Sequence, residues 1–213
     1  MTGAHEEQSI DPDDVAINEW DEVAGEWDDS EAVRAYAAAA FESLERIAEA
    51  SGMSLDGARV IDFGCGTGVL AERLVAAGAE VLAIDSSPAM LSALDRKIAE
   101  RGWTTVRISP DLAVADGPFD LVVCSSVCGF LDHYPAAVLD LASKLRAGGV
   151  FVQWDWERVD GDGSDHGLSR SEISDALRGA GLEQIEVGGD FVIDIEGESV
   201  RPLLGNGRRP GDR

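Results

Sequence analysis

From Ala58 onward, apolar runs of five to seven residues alternate with stretches of helical period. "ARVIDF" leads into "TGVLAERLVAAG", and "AEVLAID" into "SPAMLSALDRKIAERG". "WTTVRIS" follows, then "FDLVVCSS" with "AAVLDLASKLRAGG", and finally "VFVQWDW". Near-continuous apolar strands are buried on both faces, and their alternation with helices calls for a parallel sheet covered on both sides. The expectation is an α/β fold with a doubly wound, mostly parallel, Rossmann-like sheet.

The end of the chain breaks that rhythm. After one more helix, "SRSEISDALRGAGL", with Ser169 and Glu172 spaced as a capping box, come "EQIEVGGDFVIDIEG" and "ESVRPLLGNGRR". Two strands joined by a tight turn around Gly197 pair only antiparallel, since a parallel return needs a crossover. The sheet is therefore expected to end in a β-hairpin. Upstream, residues 1–15 are acidic and aperiodic and read as a mobile tail. A helical lead-in follows, with Ser30 as N-cap and Gly52 just past the end. Residues 16–213 read as one domain, with a helical cap over about 16–52 and a core over about 58–209.

Composition narrows the partners. The 213-residue chain is 45% hydrophobic, enough for a sizeable core, and no run approaches a membrane span. The acidic, polar start lacks the pattern of a signal peptide, so a cytoplasmic protein is expected. A formal charge of −24 repels nucleic-acid phosphates, and no Lys/Arg stripe compensates. Only Lys97 and Lys144 are lysines. That bias fits a salt-adapted source or a GC-rich genome equally. Cys65, Cys124 and Cys128 form no CxxC pair, so interior thiols are expected, with neither a disulfide framework nor a metal site.

The sharpest local signal is "VIDFGCGTG", Val60 to Gly68, between the first strand and its helix. A dinucleotide loop reads G-x-G-x-x-G. Here Gly64 and Gly66 fit, but Val69 holds the third position and Gly68 falls one residue early. Asp62 beside the loop would repel a pyrophosphate and suits a positively charged ligand. No Gly-Lys-Ser/Thr follows, which excludes a Walker loop. Asp85 closes the second strand 21 positions after Gly64, where a carboxylate accepts ribose hydroxyls. A nucleoside with a cationic, phosphate-free tail answers all of this, and S-adenosyl-L-methionine is such a molecule. Each residue also has a plainer role: glycines for tight packing, Asp62 as a helix N-terminal charge, Asp85 as an N-cap, Met90 as core.

"VIDFGCGTG", "AIDSSPAML" and "FDLVVCSSVCGFLDH" together resemble the successive motifs of class I S-adenosylmethionine-dependent methyltransferases, over about Trp20 to Arg209. The resemblance implies a seven-stranded sheet whose last strand runs antiparallel between its neighbours. It implies that Asp62 and the loop of Gly64, Cys65, Gly66 and Gly68 hold the methionine moiety, although the Cys65 thiol itself reads as packing. Asp85 would bind the ribose, with Ser86 and Met90 on the adenine side and Asp111 and Leu112 at the adenine edge. Cys124 and Ser125 would line the methyl-donor pocket. "WDEVAGEWDD" resembles the aromatic–Asp repeat that precedes the fold in many small-molecule members, so Trp27 would fold over the cofactor, with simple packing the alternative for Trp20 and Trp27.

The expected activity is methyl transfer to oxygen, nitrogen or carbon of a small-molecule acceptor. A general base is needed only if the acceptor must lose a proton. His133 and His166 are the two imidazoles in the body of the chain and the candidates for that role, with a surface histidine as the default for each. Tyr134, Asp155 and Trp156 are expected on the acceptor rim, and "WERVDGDGSDHG" reads as a lid or a solvated connector. Two rivals stay open: a non-catalytic cofactor-binding sensor or partner subunit, and an NAD-dependent oxidoreductase.

Overall fold

The computed structural model describes residues 20–158, 167–195 and 198–211. The expected tail over 1–15, the turn at Gly197 and most of the expected lid lie outside these residues. The strands are β1 Arg59–Phe63, β2 Glu80–Ile84, β3 Val106–Ser109, β4 Phe119–Ser125, β5 Leu145–Asp155, β6 Glu183–Gly189, β7 Ile193–Ile195, β8 Glu198–Val200 and β9 Leu203–Arg208. The helices are α1 Glu31–Ser51, α2 Val69–Ala76, α3 Pro88–Arg101, α4 Tyr134–Ser143 and α5 Arg170–Gly179.

Seven strands form one sheet in the order β3-β2-β1-β4-β5-β9-β6. The first five run parallel, and β9 enters between β5 and β6, antiparallel to both. Strand order reverses beside β1, so a crevice opens at the carboxyl ends of β1 and β4. The apolar runs are explained by burial on both faces. In β4, Leu121, Val122, Val123 and Cys124 are all fully buried. Alternate residues face opposite layers: Val60, Leu121 and Val123 pack with Leu44 of α1 and Leu74 of α2, while Ile61, Val122 and Cys124 pack with Leu141 of α4 and Ile173 of α5. Each large side chain buried this way stabilises the fold by roughly 1.5–3 kcal/mol.

The helix ends follow local chemistry. Ser30 Oγ accepts from Val33 N–H at 3.3 Å, and Gly52 ends α1 at a φ of 69°. Ser169 and Glu172 form a reciprocal capping box on α5.

Two elements differ from the sequence expectation. The glycines of "LRAGG" do not stop α4, which ends at Ser143; Gly148 and Gly149 lie inside β5, whose start at Leu145 pairs with Phe119. The terminal hairpin is split into two pairs of strands. β6 and β9 pair in the main sheet, whereas β7 and β8 form a separate two-stranded sheet. The break has a physical cause. Pro202 has no N–H to carry the ladder on. Asp190 is drawn to α1, taking a hydrogen bond from Ser43 and an ion pair from Arg46 at 2.9 Å, while the Trp154 indole donates to it at 3.1 Å.

β9 carries two glycines because α5 and the chain leading into β6 lie close above it. A Cβ on Gly205 would stand 2.4 Å from Ile173 Cγ2, whereas one on Gly188 of β6 would meet nothing within 4 Å. Gly205→Ala is therefore expected to destabilise the protein by about 1–3 kcal/mol through overpacking. Gly188→Ala should have little effect. Denaturant unfolding of both variants checks this, and equal losses would refute the packing account.

Candidate functional site

The loop after β1 is fastened to β2 before anything else contacts it. Gly64 and Cys65 donate their N–H groups to the Ile84 carbonyl at 2.8 and 3.0 Å. Gly66 N–H donates to Asp85 Oδ2 at 2.7 Å, and Asp85 Oδ1 accepts from Ser87 N–H at 2.9 Å. One carboxylate thus joins the glycine loop to the start of α3, where Ser87 Oγ caps Met90 N–H at 3.1 Å.

The three glycines have three different reasons. All have positive φ, 73°, 53° and 84° for Gly64, Gly66 and Gly68. A Cβ on Gly64 would fall 2.5 Å from Val127 Cβ, and one on Gly68 would fall 2.4 Å from Leu94 Cδ1. Only at Gly66 would a Cβ meet nothing closer than ordinary contact, with Trp27 Nε1 the nearest atom at 3.5 Å.

Above the loop lies a cavity of about 440 Å³. Of the residues expected to hold a cofactor, Asp62, Gly64, Cys65, Gly66, Asp85, Ser86, Met90, Asp111, Leu112, Ser125 and Trp27 line it. Gly68 and Cys124 do not: Gly68 packs on Leu94, and Cys124 turns to the opposite face of the sheet beneath α4. His133 is exposed at the N-terminal end of α4 and is not on the wall, and His166 lies outside the described residues. Of the expected rim residues, Trp156 lines the cavity, but Tyr134 and Asp155 are buried behind it. Tyr134 OH donates to Gln153 Oε1 at 2.8 Å, Gln153 Nε2 to Asp155 Oδ2 at 2.9 Å, and Gly129 N–H to Asp155 Oδ1 at 3.0 Å.

Every charged side chain on the described wall is acidic: Asp62, Asp85 and Asp111. Asp111 is partly satisfied by Ala113 N–H at 2.8 Å. Asp62 is the exception among them. It is 1% exposed, and neither carboxylate oxygen has a hydrogen-bond partner among the described residues. Burial, and then the charge of Asp85, push it up to about 7. Burial likewise raises Asp85 and pushes the Cys65 thiol far up, which leaves that thiol protonated and inert.

The roof comes from the segment before α1. Trp20 and Trp27 meet edge to face at 5.8 Å, and Trp20 meets Phe130 in the same way at 5.4 Å. Each tryptophan is followed by an aspartate that clips the segment down. Asp21 accepts from Ser87 Oγ at 2.5 Å and Ala89 N–H at 3.1 Å, while Asp28 accepts from Thr67 Oγ1 at 2.5 Å and pairs with Lys97 at 2.8 Å. The sequence reading overlooked both clips, although the repeated Trp-Asp pair was their visible sign. It also overlooked Tyr36 and Ser126, which line the cavity from α1 and from the turn after β4.

The comparisons with known proteins agree with this geometry. A methyltransferase-domain family profile matches residues 33–187. The chain is 39% identical over 108 residues to a ubiquinone biosynthesis O-methyltransferase of Xylella fastidiosa strain M23, covering 47% of this chain and 43% of that protein. It is 30% identical over 159 residues to the like-named protein of Leptothrix cholodnii, covering 68% of this chain and 63% of that one. The chain thus matches less than two thirds of the length of these relatives. Among solved structures, magnesium protoporphyrin IX methyltransferase of Synechocystis with bound SAM superposes with a TM-score of 0.72 over 95% of this chain and 99% of that one. Its identity is 18%, a likeness of fold. No described helix is long and apolar enough to cross a membrane.

A carboxylate raised from its usual 3.8 to about 7 holds a proton in the folded state that the unfolded chain releases. Stability therefore falls as pH rises through that window. Without ligand, Asp62→Asn is expected to gain stability relative to the parent as pH goes from about 5 to 8, by at most a few kcal/mol. Urea midpoints of both proteins across that range measure it. A difference independent of pH would show that Asp62 is not the strained group.

Proposed function

Because the chain belongs to the methyltransferase-domain family, the class I S-adenosylmethionine-dependent enzymes, we propose that it transfers a methyl group from S-adenosylmethionine to oxygen, nitrogen or carbon of a small-molecule acceptor. The observation that carries this reading is the buried carboxylate of Asp62, unpartnered among the described residues, on a cavity wall whose described charges are all negative. Such a wall favours a cationic ligand and penalises a pyrophosphate, which weighs against NAD.

The residues present fit that cofactor. Asp62 would take the ammonium of the methionine moiety, and Asp85, with lone pairs left over after Gly66 and Ser87, would accept from the ribose hydroxyls. Gly66 leaves the backbone bare at the loop, and Met90, Asp111 and Leu112 would border the adenine. When bound, the cofactor supplies a methyl group already activated by its sulfonium. The chain's own contribution is to orient both partners and to roof the cavity with Trp20, Trp27 and Phe130, which keeps water out. Aromatic faces also suit a cationic ligand. The −24 charge and the acidic wall favour a small acceptor over nucleic acid.

Calorimetric titration with S-adenosylhomocysteine and with NAD tests the cofactor. The expectation is binding of the first only, weakened at least about tenfold in Asp85→Ala, the cost of a lost charge-assisted hydrogen bond. Affinity should also fall as pH drops below about 7, because protonated Asp62 no longer attracts an ammonium. Tight NAD binding without S-adenosylhomocysteine binding would overturn the reading. Transfer of a labelled methyl group into a metabolite pool separates an enzyme from a binding protein.

A further inference from the structure

The cavity wall away from β2 and β3 has a different chemistry from the cofactor end. Val33 and Tyr36 of α1, Val127 and Phe130 of the turn after β4, and Trp156 beyond β5 make it apolar and largely aromatic. Tyr36 and Trp156 pack at 5.4 Å with their planes tilted 50°. The Tyr36 phenol is held protonated by burial, and it donates to the Trp154 carbonyl at 3.3 Å. Its proton is therefore already committed.

One residue of this wall breaks two rules at once. Ser126 has a φ of 54°, a conformation in which a serine is strained. Its hydroxyl is shielded from water and has no hydrogen-bond partner among the described residues. It lies near enough to the Tyr36 phenol to bias its ionisation, yet the two make no hydrogen bond of ordinary geometry. A buried orphan hydroxyl costs about 1–3 kcal/mol. The backbone N–H of Ser126 donates to the Trp154 carbonyl at 2.8 Å, which fixes the residue in place. Strain and an unmet polar group on one cavity-lining residue mark a place made for a ligand atom.

Resting on the cofactor reading above, we propose that this wall is the acceptor subsite, that it takes an uncharged, flat, mainly apolar molecule, and that Ser126 Oγ orients the acceptor's hydroxyl or amine. The apolar surface supplies binding, and the single orphan hydroxyl supplies direction. A carboxylate or phosphate on the acceptor has no counter-charge here, since no cationic side chain lines the described wall and three aspartates do. Such an anion would be desolvated without compensation.

The test uses para-propylphenol, propylbenzene and para-propylbenzoate as probes, titrated calorimetrically into the full chain with and without saturating S-adenosylhomocysteine. The phenol is expected to bind at least about tenfold tighter than the benzoate. Ser126→Gly relieves the backbone strain and removes the hydroxyl, so folding is not at risk. It should cost the phenol about tenfold, the worth of one neutral hydrogen bond, and bring it level with propylbenzene. Affinity for propylbenzene and for S-adenosylhomocysteine should be unchanged, which a merely structural role for Ser126 would not predict. Absence of phenol binding, benzoate binding as tight as phenol, or an intact phenol preference in Ser126→Gly would each overturn the proposal. If S-adenosylhomocysteine binds while the phenol preference is absent, only the acceptor assignment falls. If S-adenosylhomocysteine itself fails to bind, the cofactor reading falls, and the assignment of this wall to an acceptor falls with it.

Discussion

The site is organised around the carboxylate of Asp85, which holds the N–H of Gly66 with one oxygen and that of Ser87 with the other. The glycine loop follows β1 and the start of α3 follows β2, so this one side chain sets the spacing between the two connections that frame the cavity. Neighbouring bonds depend on it. Ser87, so positioned, caps α3 by accepting from Met90 N–H and donates its own hydroxyl hydrogen bond to Asp21. The roof segment is thus fixed to the same point as the floor. A carboxylate can fill this place because charge-assisted hydrogen bonds to backbone N–H groups offset its desolvation.

Asp62 is built on the opposite principle. It lies one strand away from Asp85, fully buried, and no donor among the described residues meets it. Like-charge repulsion between the two carboxylates is part of why it is raised to about 7. The second buried acid, Asp155, is raised just as far by burial but accepts from Gly129 and Gln153. Burial alone therefore does not distinguish a ligand site from a structural one. The distinguishing feature is the missing partner, and among the described buried acids that feature belongs to Asp62. The fold tolerates this cost at the carboxyl end of a central strand because the rest of β1 is packed on both faces.

Much of this was legible in the sequence for one reason: strands buried on both faces leave little choice of residue, so β1, β2 and β4 stand out as apolar runs. The glycine loop was legible too, but its spacing concealed three causes. Gly64 and Gly68 leave no room for a Cβ beside Val127 and Leu94, whereas at Gly66 a Cβ would fit and only the positive φ favours glycine. The splitting of the terminal hairpin was not legible, because it depends on Asp190 finding Trp154, Ser43 and Arg46, which are distant in the chain. The proposed acceptor wall, apart from Trp156, was hidden for the same reason. Its residues come from α1, the turn after β4 and the exit of β5, and no short motif contains them. Residue type alone pointed to His166, which lies outside the described residues, and to His133, which sits exposed on a helix end, while the turn at Ser126 went unread.

The roof shows how a strongly acidic chain spends its few cations. With 41 acidic and 17 basic residues, most carboxylates have no basic partner to reach. Lys97, one of two lysines, is nonetheless largely covered, its side chain 15% exposed, and paired with Asp28 of the roof segment. Surface ion pairs contribute little on their own. This one is partly shielded and works beside a second bond, from Thr67 of the glycine loop to the same aspartate. Asp21 makes the equivalent attachment to α3 using only a hydroxyl and a backbone N–H. Each Trp-Asp pair therefore places a ring over the cavity with the first residue and fastens it with the second, and the fastening points are the loop and helix that Asp85 holds together. Roof and floor form one connected unit, so whatever orders the glycine loop also orders the aromatic cover above it.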